Sequence, residues 1–201
     1  MSEAKFRVMT IGSPINNGSE QEIAEKLNNL VTEVKSSTNI LGARHGRIGT
    51  GHNAGKVIVA QTYASMADIE AAYDVMGRSA SYQDLLGVLS VERRNIGSIE
   101  VSVQSSSSDP KYAVLTVVTS KERMIEEAQH LAKVFVENGA LRVNYGTILT
   151  GDNTGSRLLG ALYPSMAAIE TAYDAIRSDE VYNSVLSKVS IRMRQIVRLT
   201  G

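Results

Sequence analysis

Two copies of one segment make up most of the chain, and this internal repeat constrains the fold more than any other feature. YASMADIEAAYD begins at Tyr63 and YPSMAAIETAYD begins at Tyr163, so the copies are offset by 100 residues. Over the range 46–96, about twenty positions are identical to the residues 100 positions later. Near the start, KFRVMT from Lys5 matches KYAVLT from Lys111, which gives the first copy about six extra residues. Each copy must therefore form the same structural unit.

Each copy shows the pattern of a strand, a helix, two strands, a helix and a final strand. Short apolar and β-branched runs between turn residues are typical of strands, and apolar residues three and four apart are typical of helices. TGHNAG and TGDNTG supply the glycine and asparagine that a tight hairpin turn needs. The predicted strands are 6–11, 40–50, 56–63, 89–96, 112–118, 141–150, 157–163 and 189–197, and the predicted helices are 20–35, 122–137, those following Ser65 and Ser165, and short ones around Tyr82 and Tyr182.

The order βαββαβ is that of a ferredoxin-like unit, in which two helices cover one face of a four-stranded sheet. Residues 57–63 are apolar at both odd and even positions, which indicates that both faces of the sheet are covered. The sequence therefore predicts an α+β fold with two tandem ferredoxin-like βαββαβ repeats packed sheet to sheet within one chain. The predicted boundaries are 1–104 for the first repeat, 105–110 for a polar linker and 111–201 for the second repeat.

One face of the helix after Ser65 carries apolar residues three and four positions apart, and the same holds after Ser165. Such spacing places the side chains on a single stripe, which we expect to be buried against the sheet. The stripe consists of Met66, Ile69, Ala72 and Tyr73 and, in the copy, of Met166, Ile169, Ala172 and Tyr173.

These segments resemble a known superfamily. The motif Tyr-x-Ser-Met-x-x-Ile-Glu-x-Ala from Tyr63, followed by Ser79–Tyr82, is similar to the strand-to-helix segment of the dimeric α/β-barrel superfamily. The resemblance extends to the antibiotic-biosynthesis monooxygenase-like, EthD-like and stress-responsive barrel proteins, and it covers both repeats. It implies an intrachain version of the dimeric barrel. Members include cofactor-free oxygenases, isomerases and haem-handling proteins. The oxygenases often place Trp, Asn and His between sheet and helices, whereas this chain has no Trp.

Composition excludes several classes of function. Lys+Arg and Asp+Glu are both 21, so the net charge is zero and no basic surface for nucleic acid is expected. Without cysteine, disulfides, thiolate metal sites and Cys nucleophiles are excluded. No apolar run reaches the ~18 residues of a membrane span, and a soluble cytoplasmic protein is the expectation. The three histidines, His45, His52 and His130, form no recognisable ligand set, so we expect neither a metal nor another cofactor.

Positions at which the repeats differ in polarity are candidates for a specialised site. His45 and Arg47 share a strand face on which the copy has Tyr145 and Thr147. A neutral imidazole could act as a base while Arg47 holds an enolate or carboxylate, so we predict these two as catalytic residues. The alternative is that His45 is a hydrogen-bonded sheet histidine.

Four further residues are predicted to bind a ligand, namely Tyr63, Tyr73, Tyr82 and Arg94. The tyrosines would line a pocket, and Arg94 recurs as Arg194 on the last strand of the copy. Core tyrosines with a wet hydroxyl and a structural ion pair are the alternative interpretations.

The sequence leaves three functions open. The first is binding of a small, largely apolar molecule by a barrel protein without a catalytic role. The second is a cofactor-independent monooxygenase or isomerase that acts on an enolisable substrate. The third is an architectural protein that assembles into a homo-oligomer. A small-molecule ligand is the expected partner, and neither nucleic acid nor a membrane is.

Overall fold

The computed structural model of the protein describes residues 3–105 and 109–201. Its first half follows the predicted order of elements. Helix caps lie where the sequence provides them: the Ser19 hydroxyl accepts the backbone N–H of Glu22, and the Ser65 hydroxyl accepts that of Asp68. The elements are β1 (Phe6–Pro14), α1 (Glu20–Ser37), β2 (Gly42–Ile48), β3 (Val57–Tyr63), α2 (Met66–Arg78), α3 (Ala80–Leu86) and β4 (Leu89–Ser98).

The second half repeats this order after one strand that the hydrophobic pattern did not predict. That strand, β5 (Val101–Gln104), falls within the predicted first repeat but pairs with a strand of the second. The predicted linker, 105–110, contains residues 106–108, which lie outside the described residues. The remaining elements are β6 (Tyr112–Ser120), α4 (Ile125–Glu137), β7 (Arg142–Thr147), β8 (Arg157–Tyr163), α5 (Met166–Arg177), α6 (Glu180–Lys188) and β9 (Val189–Leu199).

Both repeats form antiparallel sheets with the ferredoxin-like strand order. The first has the order β4-β1-β3-β2 and the second has β9-β6-β8-β7. The two sheets join where β2 pairs with β9, and on the other side a bridge connects Gly97 of β4 to Ile148. The prediction of two ferredoxin-like repeats packed sheet to sheet in an intrachain dimeric α/β barrel is confirmed.

Each hairpin turn between the middle strands packs against the other repeat. The Thr50 hydroxyl accepts the backbone N–H of Ile196 at 2.9 Å, and the Thr150 hydroxyl accepts that of Ile96 at 2.9 Å. Gly51, Gly55 and their copies have positive φ, which glycine tolerates best. The TG-x-N-x-G sequence therefore serves both the turn and the contact between repeats.

Three apolar clusters hold the layers together. Two of them lie between a sheet and its own helices, one in each repeat. The third fills part of the barrel interior with side chains from both sheets, which explains why the strands are apolar on both faces. Its buried members are Ile11, Ile48, Ile58, Ala113, Leu115, Val117, Ile148, Leu158 and Val197.

The predicted buried stripe of α2 and α5 is correct except at its first residue. Ile69 is 2 % exposed and Ala72 is fully buried, whereas Met66 and Met166 are each 48 % exposed. Both methionines occupy the first helical position after the cap, beyond the part of the helix that packs on the sheet. The expectation that Met66 and Met166 are buried was therefore wrong.

Candidate functional site

The predicted residues Tyr73, Tyr82 and Arg94 lie together between the sheet and helices of the first repeat. Arg94 reaches from β4 toward the helices, and its Nη2 donates to the Tyr82 hydroxyl at 3.1 Å. The guanidinium carbon lies 5.1 Å from the centre of the Tyr73 ring, within cation–π distance. Its Nε donates to Thr10 on β1 at 3.1 Å. Sequence reasoning thus selected residues that the fold brings together.

Tyr63 lies beneath this cluster at the end of β3. Its side chain is fully buried, and its hydroxyl has no hydrogen-bond partner among the described residues. Burial and the neighbouring Tyr73 hydroxyl raise the pKa of the Tyr63 phenol above its usual range, so the phenol stays protonated. Tyr163, the copy, is equally buried and its hydroxyl is also unpartnered.

The second repeat builds the same cluster with one bond fewer. Arg194 donates through Nε to Thr116 at 3.2 Å, and its guanidinium lies 5.0 Å from the centre of the Tyr173 ring. Among the described residues, Arg194 has no counterpart to the hydrogen bond that joins Arg94 to Tyr82. Arg194 is exposed, so its terminal nitrogens are accessible to solvent and to a ligand, whereas Nη2 of Arg94 is bonded to Tyr82.

A cavity of about 80 Å³ lies beside Arg194, between β6, β9 and helices α4 and α6. Two of its walls are formed by Val185 and Val189, whereas the first repeat has Leu85 and Leu89 at the equivalent positions. Both leucines are at most 3 % exposed and fill the corresponding space. Each leucine-to-valine difference removes one methylene from the second repeat, which accounts for part of the cavity.

The remaining cavity walls are mostly apolar, with a few polar groups. The Tyr145 hydroxyl donates to the carbonyl of Arg123 at 2.6 Å, and burial raises the pKa of the Tyr145 phenol to about 12. Oε1 of Glu127 lies 3.8 Å from Nζ of Lys188. The other lining residues are Thr116, Val118, Met124, Ala128, Leu131, Phe135, Leu159, Tyr173, Tyr182, Leu186 and Ile191.

His45 and Arg47, the predicted catalytic pair, have separate partners. His45 is 2 % exposed and lies between the sheet and α1, as its strand position predicted. Its Nε2 lies 3.0 Å from Oδ1 of Asn28, and its Nδ1 lies 3.0 Å from the Thr200 hydroxyl. Arg47 extends to the surface, where it pairs with Glu20 at 3.2 Å. The two side chains therefore do not converge on one pocket, and their catalytic role stays a prediction.

One neutral tautomer satisfies both ring nitrogens of His45. With the proton on Nε2, the ring donates to Asn28 and accepts from the hydroxyl of Thr200. Burial lowers the pKa of His45, because desolvation disfavours the charged imidazolium. This arrangement is that of a hydrogen-bonded sheet histidine.

We expect the protein to lose stability as the pH falls below about 6.5, the ordinary pKa of histidine. In this range the unfolded chain binds a proton at His45 that the folded chain, with its lowered pKa, does not bind. The free energy of unfolding should fall by up to about 1.4 kcal/mol per pH unit until the folded pKa is reached. Denaturant midpoints between pH 7 and pH 5 measure this slope. His45→Gln should flatten it and His52→Gln should retain it; an unchanged slope in His45→Gln would contradict the assignment.

Sequence reasoning missed Arg7, which projects from β1 into the barrel interior and is 6 % exposed. A comparison of the two repeats could have identified Arg7, because the second copy has Ala113 at this position. It also missed the cavity of the second repeat, since a leucine-to-valine difference changes volume and leaves polarity unchanged.

Two further properties concern metals and membranes. Over residues 3–105 and 109–201, no group of three or more His, Cys, Asp or Glu side chains could hold a metal ion. His130 lies instead on the exposed side of α4 and contacts Asp179 at 2.8 Å. In the same part of the chain, no helix is both long and apolar enough to cross a membrane.

Solved structures with the same architecture exist at low sequence identity. A proposed monooxygenase from Fusobacterium nucleatum is 13% identical with a TM-score of 0.73, and the match covers 100% of this chain and 94% of that one. An anthrone oxidase-like protein is 12% identical with a TM-score of 0.57, covering 99% and 92%. A chlorite dismutase variant from Candidatus Nitrospira defluvii is 7% identical with a TM-score of 0.63, covering 100% and 93%. These similarities establish the fold alone.

Sequence comparison places the chain in one family. No curated protein matches it significantly. One family model matches twice, over residues 4–99 and 110–199, which together make up most of the chain. The chain therefore belongs to the family described as Domain of unknown function (DUF6854).

Proposed function

We propose that the protein binds a small, largely apolar molecule in the cavity between the sheet and helices of the second repeat. The observation that carries this proposal is the contrast between repeats. Both have the arginine and tyrosine cluster, but the first fills the adjoining space with Leu85 and Leu89 and the second leaves it open. A mostly apolar space with a few polar groups at its edge is typical of a ligand site.

The lining indicates the kind of molecule. Aromatic and aliphatic side chains favour an apolar body, and the terminal nitrogens of Arg194 favour a hydroxyl, carbonyl or enolate oxygen at one end. A volume of about 80 Å³ admits a ligand of benzene size only after a small expansion. Helix α6 contributes no buried side chain, so its displacement would disturb little of the core. For the first repeat, a binding role of Tyr63, Tyr73, Tyr82 and Arg94 remains a proposal of lower rank, because Leu85 and Leu89 occupy the space.

Filling the cavity with the side chains of the first repeat tests this proposal. In Val185→Leu/Val189→Leu, the added methylenes should occupy the space, and phenol or toluene binding should fall at least about 10-fold, the effect of losing roughly 1.4 kcal/mol. Titration calorimetry or ligand-observed NMR measures the binding. The matched control, Leu85→Val/Leu89→Val, should lose stability by about 1–3 kcal/mol in total and keep the affinity of the second repeat. Equal binding by the filled variant and the natural chain would contradict the proposal.

A second candidate is a cofactor-independent oxygenase or isomerase that uses the same cavity. It is supported by the descriptions of two solved structures as a proposed monooxygenase and an anthrone oxidase-like protein, and by the position of Arg194, whose cation can stabilise an enolate. Oxygen consumption with acetylacetone, a small enolisable diketone, as the probe separates this function from binding alone. Loss of turnover in Arg194→Met but not in Arg94→Met would favour the enzyme, and binding without turnover would favour a binding protein.

Haem does not fit this cavity. Its lining contains no histidine or cysteine, and His130, the one histidine of the second repeat, lies at the surface with Asp179. The volume of about 80 Å³ is also far below that of a macrocycle. No step of the proposed function therefore involves haem.

A further inference from the structure

The barrel interior contains a second and larger cavity, of about 440 Å³, toward the start of β1 and β6. It is separate from the cavity beside Arg194, because it lies between the two sheets and not between a sheet and its helices. Side chains from seven strands line it, and Arg7 of β1 is its most buried charged group. Its volume is within the range of typical small-molecule sites.

Arg7 is a cation whose guanidinium has no partner within residues 3–105 and 109–201. It forms no hydrogen bond or ion pair with any described residue, and its Nε is buried and unsatisfied. Burial lowers the pKa of Arg7 to about 10, so the side chain remains charged at neutral pH. A buried charge that lacks a counter-charge carries a large desolvation penalty. An anion in the adjoining cavity would remove that penalty.

The other side chains that line this cavity add positive charge and no negative charge. Lys35, Arg44 and Arg142 line the same cavity, and the lining includes no aspartate or glutamate. The pKa of Arg142 is lowered by burial and by the nearby Arg44, so these cations already repel one another. Arg142 donates to the Gln104 amide oxygen and has no carboxylate partner in the described part of the chain. Four basic side chains around one cavity produce a potential that attracts anions.

The second repeat shows that the fold does not require this arginine. Its equivalent of Arg7 is Ala113, and its equivalent of Arg44 is Asn144. The guanidinium crosses the barrel to Gly160, where the first repeat has Ala60. A Cβ at Gly160 would lie 3.0 Å from Nη1 of Arg7, closer than an ordinary contact. The glycine therefore provides the space that the guanidinium occupies. The charge and the space for it therefore occur together on opposite sides of the barrel.

We propose that the barrel interior binds an organic carboxylate with an apolar body, whose carboxylate pairs with Arg7. A guanidinium binds a carboxylate through two parallel hydrogen bonds, which suits a single buried arginine. The rest of the cavity suits an aliphatic or aromatic body. Its apolar walls include Met9, Ile58, Leu115, Leu162, Val197 and Leu199.

Titration calorimetry on the full chain tests this site with octanoate, phenylacetate, octanol and inorganic phosphate as probes. We expect octanoate or phenylacetate to bind at one site per chain. Octanol, which lacks the carboxylate, and phosphate, which lacks the apolar body, should bind at least about 10-fold more weakly. Arg7→Met should weaken carboxylate binding at least about 10-fold, and Gly160→Ala should weaken it by displacing the guanidinium. Arg177→Met, at the exposed ion pair with Asp174, is the matched control and should bind like the natural chain.

Several outcomes would overturn the proposal. They are equal carboxylate affinity in Arg7→Met and the natural chain, tighter binding of phosphate than of either carboxylate, and no carboxylate binding at all. Unfolding midpoints of every variant show whether it is folded, and Gly160→Ala provides a second measure if Arg7→Met does not fold. The Val185→Leu/Val189→Leu variant should keep its carboxylate affinity. Failure of this site is thereby distinguished from failure of the site beside Arg194.

Discussion

Replacing Gly46 or Gly146 with alanine should destabilise the protein by more than about 3 kcal/mol, because each change forces strands of the two repeats apart. Gly46 lies where β2 meets β9, opposite Leu199. Gly146 lies at the equivalent place in the second repeat. A Cβ at Gly46 would lie 2.2 Å from the carbonyl oxygen of Arg198, and one at Gly146 would lie 2.0 Å from that of Ser98.

These contacts cannot be relieved by a side-chain rotation, since the opposing atoms belong to the backbone. Real Cβ atoms do not approach within 3.0 Å of other heavy atoms, so the strands must separate by most of an ångström. Separation would break the hydrogen bonds that close the barrel, including that from the backbone N–H of Gly49 to the carbonyl of Ile196. The loss therefore combines steric strain with unpaired backbone groups.

Gly77→Ala is the matched control. Gly77 lies within α2, and no heavy atom lies within 4 Å of the place a Cβ would occupy. Alanine is favoured over glycine in a helix by about 1 kcal/mol, so this change should stabilise the protein. Urea denaturation followed by circular dichroism measures all three variants. If Gly46→Ala and Gly146→Ala unfold at the same denaturant concentration as the natural chain, the glycines do not set the distance between strands.

The sequence predicted the architecture because the repeat and the hydrophobic periodicity are properties of the chain itself. Two copies of one pattern had to form two copies of one unit, and apolar residues on both strand faces required a second covering layer. Both copies have glycine at this position, Gly46 in the first and Gly146 in the second, which is consistent with its place where the repeats meet. The short strand β5 was not predicted, because four residues carry too little periodicity and its pairing depends on the other repeat.

The candidate sites were only partly predictable, since their chemistry depends on contacts between distant residues. Burial of His45 follows from its strand position, but its partners are Asn28 on α1 and Thr200 near the end of the chain. No spacing in the sequence connects these three residues. Arg7 differs in polarity from its copy, Ala113, but it was not among the predicted site residues. The open cavity results from differences in volume that a polarity comparison does not detect.

In helix α2, the sequence pattern predicts one feature of the packing and not another, and mutation can measure the difference. The spacing of Met66, Ile69 and Ala72 gives the side of the helix that faces the sheet, but not where along the helix the packing begins. Ile69 is 2 % exposed and Met66 is 48 % exposed. Two residues on one stripe therefore differ in the area that they remove from water.

We expect Ile69→Ala to lower the free energy of unfolding by about 2–5 kcal/mol, because it leaves a cavity in the apolar cluster between sheet and helices. Met66→Ala, at the exposed first position, should change it by no more than about 0.5 kcal/mol. Alanine has the higher helix propensity at both sites, so propensity cannot produce the loss at Ile69. Urea denaturation of both variants measures the difference. Equal losses would mean that Met66 packs as tightly as Ile69 and that the helix contacts the sheet from its first residue.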